Sequence, residues 1–296
     1  MKKLFLIFFS LLSIASSILA NNNASHVIII GIDGWGSYSV PFADSIPHIR
    51  QAMRLGSYTL SKRAVLPSVS GPNWAAMFNG TPAEFSGIIG NEYEPSFRPS
   101  FQNEHHAQST IFHLLRQQQP DAEQGIVCEW DGVQHYVDTL CLSHNEVIAN
   151  PVGHPESIVD ASIRYIRNSK PTLCFIHIDA LDHAGHQFGE GSSEYYATLT
   201  HIDYQIGLIV EGIREAGIYD DSVIILTSDH GHKGKDHGGH ALSEIDTPFI
   251  IWGKGVKVNH RIHSLMIQYD VAATIARIFN LPIPPSWRGI AVDVFE

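Results

Sequence analysis

Positive charge is scarce in this chain of 296 residues: 19 Lys and Arg stand against 30 Asp and Glu, a formal net charge of −11 at pH 7. A nucleic-acid backbone needs a basic footprint, so it is excluded as a bulk partner, whereas a small anion remains admissible where bound divalent metals supply the missing local charge. Long apolar runs are nearly absent too. The one at the start has Lys2 and Lys3, an apolar stretch from Leu4 to Leu12, small residues up to Ala20 and then three asparagines, which is the layout of a secretory signal peptide over residues 1–20. The expected product is exported, periplasmic or secreted, with no stable membrane insertion once the signal is removed; the competing reading is an uncleaved membrane anchor, since the apolar part approaches the lower length limit for spanning. Cysteine is sparse and odd in number: Cys128, Cys141 and Cys174. A Cys128–Cys141 bridge stays open because spacing does not fix whether the Cβ atoms meet, and Cys174, inside an apolar run, reads as a small buried hydrophobe. No repeat, low-complexity tract or Pro/Gly/Ser-rich linker divides residues 21–296, which points to one domain.

What is present is a 44% hydrophobic chain with a regular alternation of patterns. Apolar β-forming runs predict strands over 26–32, 57–65, 125–129, 172–178, 222–228 and 247–252. Helical periodicity occupies 109–118, 155–168 and, most extended, 192–216, where Leu199, Ile202, Ile206, Ile209, Val210 and Ile213 recur at steps of three and four. Strands alternating with helices predict a three-layer α/β/α fold with a mostly parallel central sheet. Residues 84–108 lack periodicity and read as a lid or substrate loop.

Three of these strands stop on metal-ligating side chains. Val27-Ile-Ile-Ile-Gly-Ile ends at Asp33; Leu173-Cys-Phe-Ile-His-Ile ends at Asp179, followed by Asp182, His183 and His186; Val223-Ile-Ile-Leu-Thr-Ser ends at Asp229 and His230, followed by His232, His237 and His240. Open α/β sheets bind ligands just past the carboxyl ends of their strands, so these ends imply a metal site assembled from distant parts of the chain. The 18 histidines agree with that. A further segment, Leu66-Pro67-Ser68-Val69-Ser70-Gly71-Pro72-Asn73-Trp74, carries two serines into a helix beginning near Pro72. Ser70 at that N-terminus reads as an ordinary helix cap or as a residue beside a bound anion. Trp74 and Trp130 read as packing, Lys235 as solvated, and His105 and His106 as surface residues.

Taken in order, Gly31-Ile-Asp33-Gly34, Pro67-Ser-Val-Ser70-Gly-Pro72-Asn73, Asp182-His-Ala-Gly-His186, Ser-Asp229-His230-Gly, His237-Gly-Gly and the Tyr269-Asp-Val-Ala-Ala-Thr run resemble the alkaline phosphatase superfamily, in particular its type I phosphodiesterase/nucleotide pyrophosphatase branch. The resemblance covers most of residues 21–296 and implies an alkaline phosphatase-like fold with two Zn2+ ions. One would be held by Asp182, His186 and His237, the other by Asp33, Asp229 and His230. From the residues alone, Asp179 and His183 compete with the Asp182/His186 pair, and His232 and His240 with His237; the resemblance is what selects among them. It further implies Ser70 as nucleophile through a phosphoseryl intermediate, Asn73 as a ligand of a phosphoryl oxygen, and a small phosphoester as substrate.

The chemistry is coherent without the resemblance. Mixed His/Asp ligation suits Zn2+, two metals about 4 Å apart clamp an in-line displacement, and metal activation frees a serine from needing a histidine base. Two departures narrow the reaction. The C/S-x-P-x-R signature of sulfatases is incomplete, since the arginine is missing. Gly71 also stands where the best-known alkaline phosphatases carry a phosphate-clamping arginine, which disfavours monoester dianions more than diesters. Other readings are a sulfatase or phosphomutase of the same superfamily, and a non-catalytic zinc-binding relative.

Overall fold

The computed structural model describes residues 24–92, 102–105, 109–148 and 156–296. The export signal read at 1–20 lies outside them, as does much of the 84–108 segment. Among the described residues nine strands form one sheet: β1 (His26–Ile32), β2 (Gly56–Arg63), β3 (Gln124–Cys128), β4 (His144–Val147), β5 (Leu173–Ile178), β6 (Ser222–Thr227), β7 (Asp246–Gly253), β8 (His260–Arg261) and β9 (Met266–Ile267). Their spatial order is β4-β3-β5-β1-β6-β7-β2-β8, with β9 beside β2. Every pairing is parallel except those of β7, which runs against both β6 and β2.

The apolar runs form strands because both faces of the sheet are covered. On β1, Val27 and Ile29 enter one core layer while Ile28, Ile30 and Ile32 enter the other, and all five are fully buried. Full burial of such side chains contributes about 1.5–3 kcal/mol each, so two-sided burial holds the central strands where a two-faced amphipathic pattern would not. The first layer receives helices Ser70–Asn79, Ile111–Gln118 and Asp270–Ile278; the second receives Pro47–Leu55, Glu156–Ser169 and Ser193–Glu215. The architecture is the expected α/β/α sandwich with a mostly parallel sheet.

The longest helix behaves as its periodicity predicts. Leu199, Ile202, Ile206, Ile209 and Ile213 are buried on one side, and the Ser192 hydroxyl caps the start by accepting from the Tyr195 N–H. The elements least evident in the sequence are β4, a polar His-Asn-Glu-Val edge that is half-exposed, and the two-residue strands β8 and β9. Cys128, Cys141 and Cys174 are all free thiols, so the bridge left open between Cys128 and Cys141 is not made. Among the described residues no helix is long and apolar enough to cross a membrane.

Candidate metal and nucleophile site

Because β1 lies between β5 and β6 in parallel register, the three ligand-bearing strand ends emerge side by side. Asp33, Asp229 and His230 form a fully buried cluster in which one ligand atom from each lies within 4.8 Å of the others. His230 Nε2 is 3.3 Å from Asp33 Oδ1 and 3.3 Å from Asp229 Oδ2. Its Nδ1 sits 3.0 Å from the Gly231 carbonyl; donating there leaves the Nε2 lone pair facing the carboxylates, the arrangement metal-ligating imidazoles use.

Asp182, His186 and His237 also converge. His186 Nε2 is 3.4 Å from Asp182 Oδ2 and 3.2 Å from His237 Nε2, which is 3.7 Å from Asp182 Oδ1. Both imidazoles turn Nδ1 to a main-chain carbonyl, His186 to Lys235 at 2.8 Å and His237 to Ser68 at 3.0 Å. Of the rivals, His232 stays at the site, forming with Asp182 and His186 a group whose ligand atoms lie within 4.8 Å of one another, and Asp179 groups in the same way with Asp33 and His177; His183 and His240 stand apart. His183 pairs with Asp179 at 2.9 Å on the exposed side of its helix, and His240 and Lys235 are exposed.

The electrostatics call for a cation. Burial, reinforced by the carboxylates of Asp33 and Asp182, pushes Asp229 well above the usual carboxylate range. Burial also brings His230 down to about 4, so at neutral pH it is an uncharged donor. Asp33 is held low: burial, the largest single effect, opposes this, but the His177 hydrogen bond, the nearby His230 and His177 rings and the Trp74 hydrogen bond together outweigh it. Asp229 Oδ2, Asp182 Oδ1 and His232 Nε2 are enclosed without a well-formed hydrogen bond, although His232 Nε2 lies 3.1 Å from Asp182 Oδ1. Orphaned carboxylate oxygens and imidazole nitrogens in one place fit a divalent metal, and the mixed His/Asp donors suit Zn2+.

Ser70 meets the buried cluster. It is the first residue of helix Ser70–Asn79, two positions earlier than the sequence indicates, and no side chain caps that helix. Its hydroxyl lies 3.1 Å from His230 Nε2 and 3.5 Å from Asp33 Oδ1, so the capping reading of this serine is not met. Asn73 behaves differently from the expectation that it binds a phosphoryl oxygen. Its Oδ1 accepts from Val65 N at 2.7 Å, and its Nδ2 faces the carbonyls of Val65, Pro67 and Val69 at 3.2, 3.2 and 2.9 Å. Both ends of the amide are spent bracing the loop that delivers Ser70.

Several participants have no clear signal in the sequence. His177 and Trp74 both donate to Asp33 Oδ2, at 2.9 and 3.1 Å. His232 is fully buried with Nε2 3.1 Å from Asp182 Oδ1 and Nδ1 3.3 Å from the Gly34 carbonyl. Two glycines make room for that ring: a Cβ at Gly185 would come within 2.4 Å of it, and one at Gly34, whose φ is +69°, within 2.6 Å. Ser68 joins the nucleophile loop to the His237 loop, accepting from Gly238 N and donating to Gly239 O. Asn91, exposed at the rim, accepts the Gly71 N–H at 2.7 Å, and its own carbonyl accepts from Tyr136. Beneath the site the buried ammonium of Lys62 donates to Ser228 O at 2.8 Å and to Gln268, and burial brings it to about 7.

A sequence model of the family described as type I phosphodiesterase / nucleotide pyrophosphatase matches residues 27–247. Ectonucleotide pyrophosphatase/phosphodiesterase family member 1 of Rattus norvegicus is 25% identical over 217 residues, 69% of this chain and 24% of its own length. The chain therefore spans about a quarter of that relative. A phosphopentomutase of Alkaliphilus oremlandii is 30% identical over 158 residues, 49% of this chain and 37% of its own length. Among solved structures, murine ectonucleotide pyrophosphatase / phosphodiesterase 5 in complex with AMP superposes with a TM-score of 0.73 at 16% identity, covering 88% of this chain and 96% of that one. A 2-O GAG sulfatase does so with a TM-score of 0.73 at 14% identity, covering 90% and 73%. These likenesses show the same alkaline phosphatase-like fold.

Proposed function

The chain belongs to the type I phosphodiesterase / nucleotide pyrophosphatase family, and from that premise we propose that it is an exported, metal-dependent phosphoric ester hydrolase acting through a phosphoserine at Ser70. The observation that carries this reading is the position of the Ser70 hydroxyl, 3.1 Å from His230 Nε2 where the ligand-bearing strand ends converge. Asp33, Asp229 and His230 would hold one divalent zinc, and Asp182, His186 and His237 a second. Bound there, the metals would supply Lewis acidity and lower the pKa of a hydroxyl or water at neutral pH.

The chain's own groups account for the remaining steps. The Ser70 hydroxyl gives up its proton and forms the O–P bond as the P–O bond to the leaving alcohol or phosphate breaks, and that proton ends, directly or through solvent, on the departing oxygen. Water then cleaves the phosphoserine, releasing the phosphate product and restoring the hydroxyl. The His177 and Trp74 bonds fix Asp33 Oδ2, leaving Oδ1 toward Ser70. Asn73 holds the loop rather than the substrate. The Asn91 amide, its oxygen anchored on Gly71 N–H, offers its NH2 group to a phosphoryl oxygen at the rim.

A diester or pyrophosphate is the favoured substrate class. A side chain at Gly71 would meet the Gly90 carbonyl at 2.4 Å and the Tyr136 hydroxyl at 2.5 Å, so no arginine beside the nucleophile clamps a dianion. The AMP in the similar murine structure favours a nucleotide. The test is metal content together with hydrolysis of bis-p-nitrophenyl phosphate, p-nitrophenyl phosphate and p-nitrophenyl sulfate. The diester is expected to turn over fastest, and Ser70→Ala to retain metal and lose activity by at least about a thousandfold. A metal-loaded Ser70→Ala protein with unchanged turnover would end the proposal.

A further inference from the structure

We infer that His105, Asp138 and Cys141 form a separate metal site, for a borderline-soft divalent ion such as Zn2+, that pins residues 103–105 to the turn following Tyr136. None of the three belongs to the cluster around Ser70, and the inference does not depend on the proposed reaction. One ligand atom from each, an imidazole nitrogen, a carboxylate oxygen and a thiol sulfur, lies within 4.8 Å of the other two.

The centre of the arrangement is the buried Asp138 carboxylate. Its Oδ1 accepts from Leu140 N at 3.1 Å, capping the turn Thr139–Cys141. Its Oδ2 faces His105 Nδ1 at 2.5 Å, Asn103 Nδ2 at 2.7 Å and Cys141 Sγ at 3.4 Å. Three donors thus crowd an oxygen with two lone pairs. A thiol, an imidazole and a carboxylate together are a zinc donor set, whereas Ca2+ and Mg2+ take oxygen.

The geometry needs little adjustment. In a tetrahedral site with metal–oxygen and metal–nitrogen distances of about 2.1 Å and metal–sulfur of about 2.3 Å, neighbouring ligand atoms are roughly 3.4–3.6 Å apart. The sulfur–oxygen separation already matches, and the His105 ring has to withdraw by about 1 Å. The thiol is held in place from behind: the Cys141 carbonyl accepts from Arg116 Nε and Nη2 at 3.0 and 2.9 Å and from Gln124 Nε2 at 2.8 Å. His105, 31% exposed at its side chain, leaves a fourth position open to water.

Burial lifts the Cys141 thiol to about 12, with Asp138 adding to the effect, so metal uptake displaces one proton from sulfur. The consequence reaches the main site. Tyr136, two residues before Asp138, donates to the Asn91 carbonyl at 3.1 Å, and Asn91 is the residue anchored on the nucleophile helix. An ion here fastens residues 103–105 to that wall.

Cobalt(II) loading decides the matter, because no ligand of the main cluster is a thiol. A thiolate-to-cobalt charge-transfer band in the near ultraviolet is expected in the wild type, in Cys128→Ser and in Asp229→Asn. It is expected to vanish in Cys141→Ser and in His105→Ala, each of which also loses one metal ion per chain by mass spectrometry. His105→Ala changes a partly exposed ring and keeps the test decisive where Cys141→Ser does not fold. A wild type without the band, or a band that survives loss of Cys141 or disappears with Cys128, would overturn the inference and leave the three groups as a hydrogen-bonded cluster.

Discussion

The imidazole of His237 stacks on that of His230, with ring centroids 3.7 Å apart and planes 17° from parallel. His230 belongs to the buried cluster with Asp33 and Asp229, and His237 to the more open one with Asp182 and His186. The stack is the seam between them. Asp182, His230 and His237 accordingly fall within one 4.8 Å group, so the two clusters adjoin.

Chelation is expected to destabilise the fold. With the metals removed, Asp33, Asp182 and Asp229 remain crowded together, with Asp182 Oδ1 and Asp229 Oδ2 buried and unsatisfied. At free metal one hundred times its Kd, binding contributes about 2.7 kcal/mol per ion. A thermal scan with and without EDTA checks this, and recovery of Tm on adding Zn2+ is the expected outcome. A Tm that stays constant while metal content falls to zero would sink it.

Asn73→Ala should lower stability as well as turnover. The substitution orphans the buried Val65 N–H, a loss of about 1–3 kcal/mol. Urea denaturation reads the stability. Since the amide braces the loop carrying Ser70, kcat should fall more than KM rises; a rise in KM alone would instead restore a substrate-binding role to this residue.

Gly34→Ala is a test of close packing around His232. The φ of +69° disfavours a side chain, by about 1–2 kcal/mol, and the added Cβ would lie 2.6 Å from His232 Cε1 and 2.8 Å from Asp182 Cα. Metal affinity at the Asp182 cluster is expected to drop about tenfold or more through displacement of its supports. Calorimetric titration with Zn2+ measures it, and wild-type affinity would contradict the packing argument.

His183 provides a pH signature. The Asp179 hydrogen bond raises its imidazole from 6.5 to about 9. Between those values the folded protein binds more protons than the unfolded chain, so the stabilisation is complete below 6.5 and is lost as pH rises through about 9. Because the ring is 48% exposed, solvent screening keeps the contribution under about 1 kcal/mol. The Tm difference between wild type and His183→Gln should be widest in acid and close above pH 9; a gap that widens with pH would refute the pairing.

The sequence by itself determined the strands and the broad site. Two-sided burial writes a central strand as an unbroken apolar run, and the run's end marks where acidic and imidazole side chains gather, so the meeting of Asp33, Asp229 and His230 was legible with their elements. The reversal of β7 was not, because an apolar run carries no direction. Only the tertiary structure decided the supporting groups. His177, in the middle of an apolar strand, and His232, one of a crowd of loop histidines, acquire their roles from what faces them across 144 and 198 positions of chain. The setting of Asn73 was hidden for the same reason: residue type and spacing place an amide near Ser70, but only the fold fixes which hydrogen-bond partners it meets, and here these are three carbonyls and an N–H of its own loop.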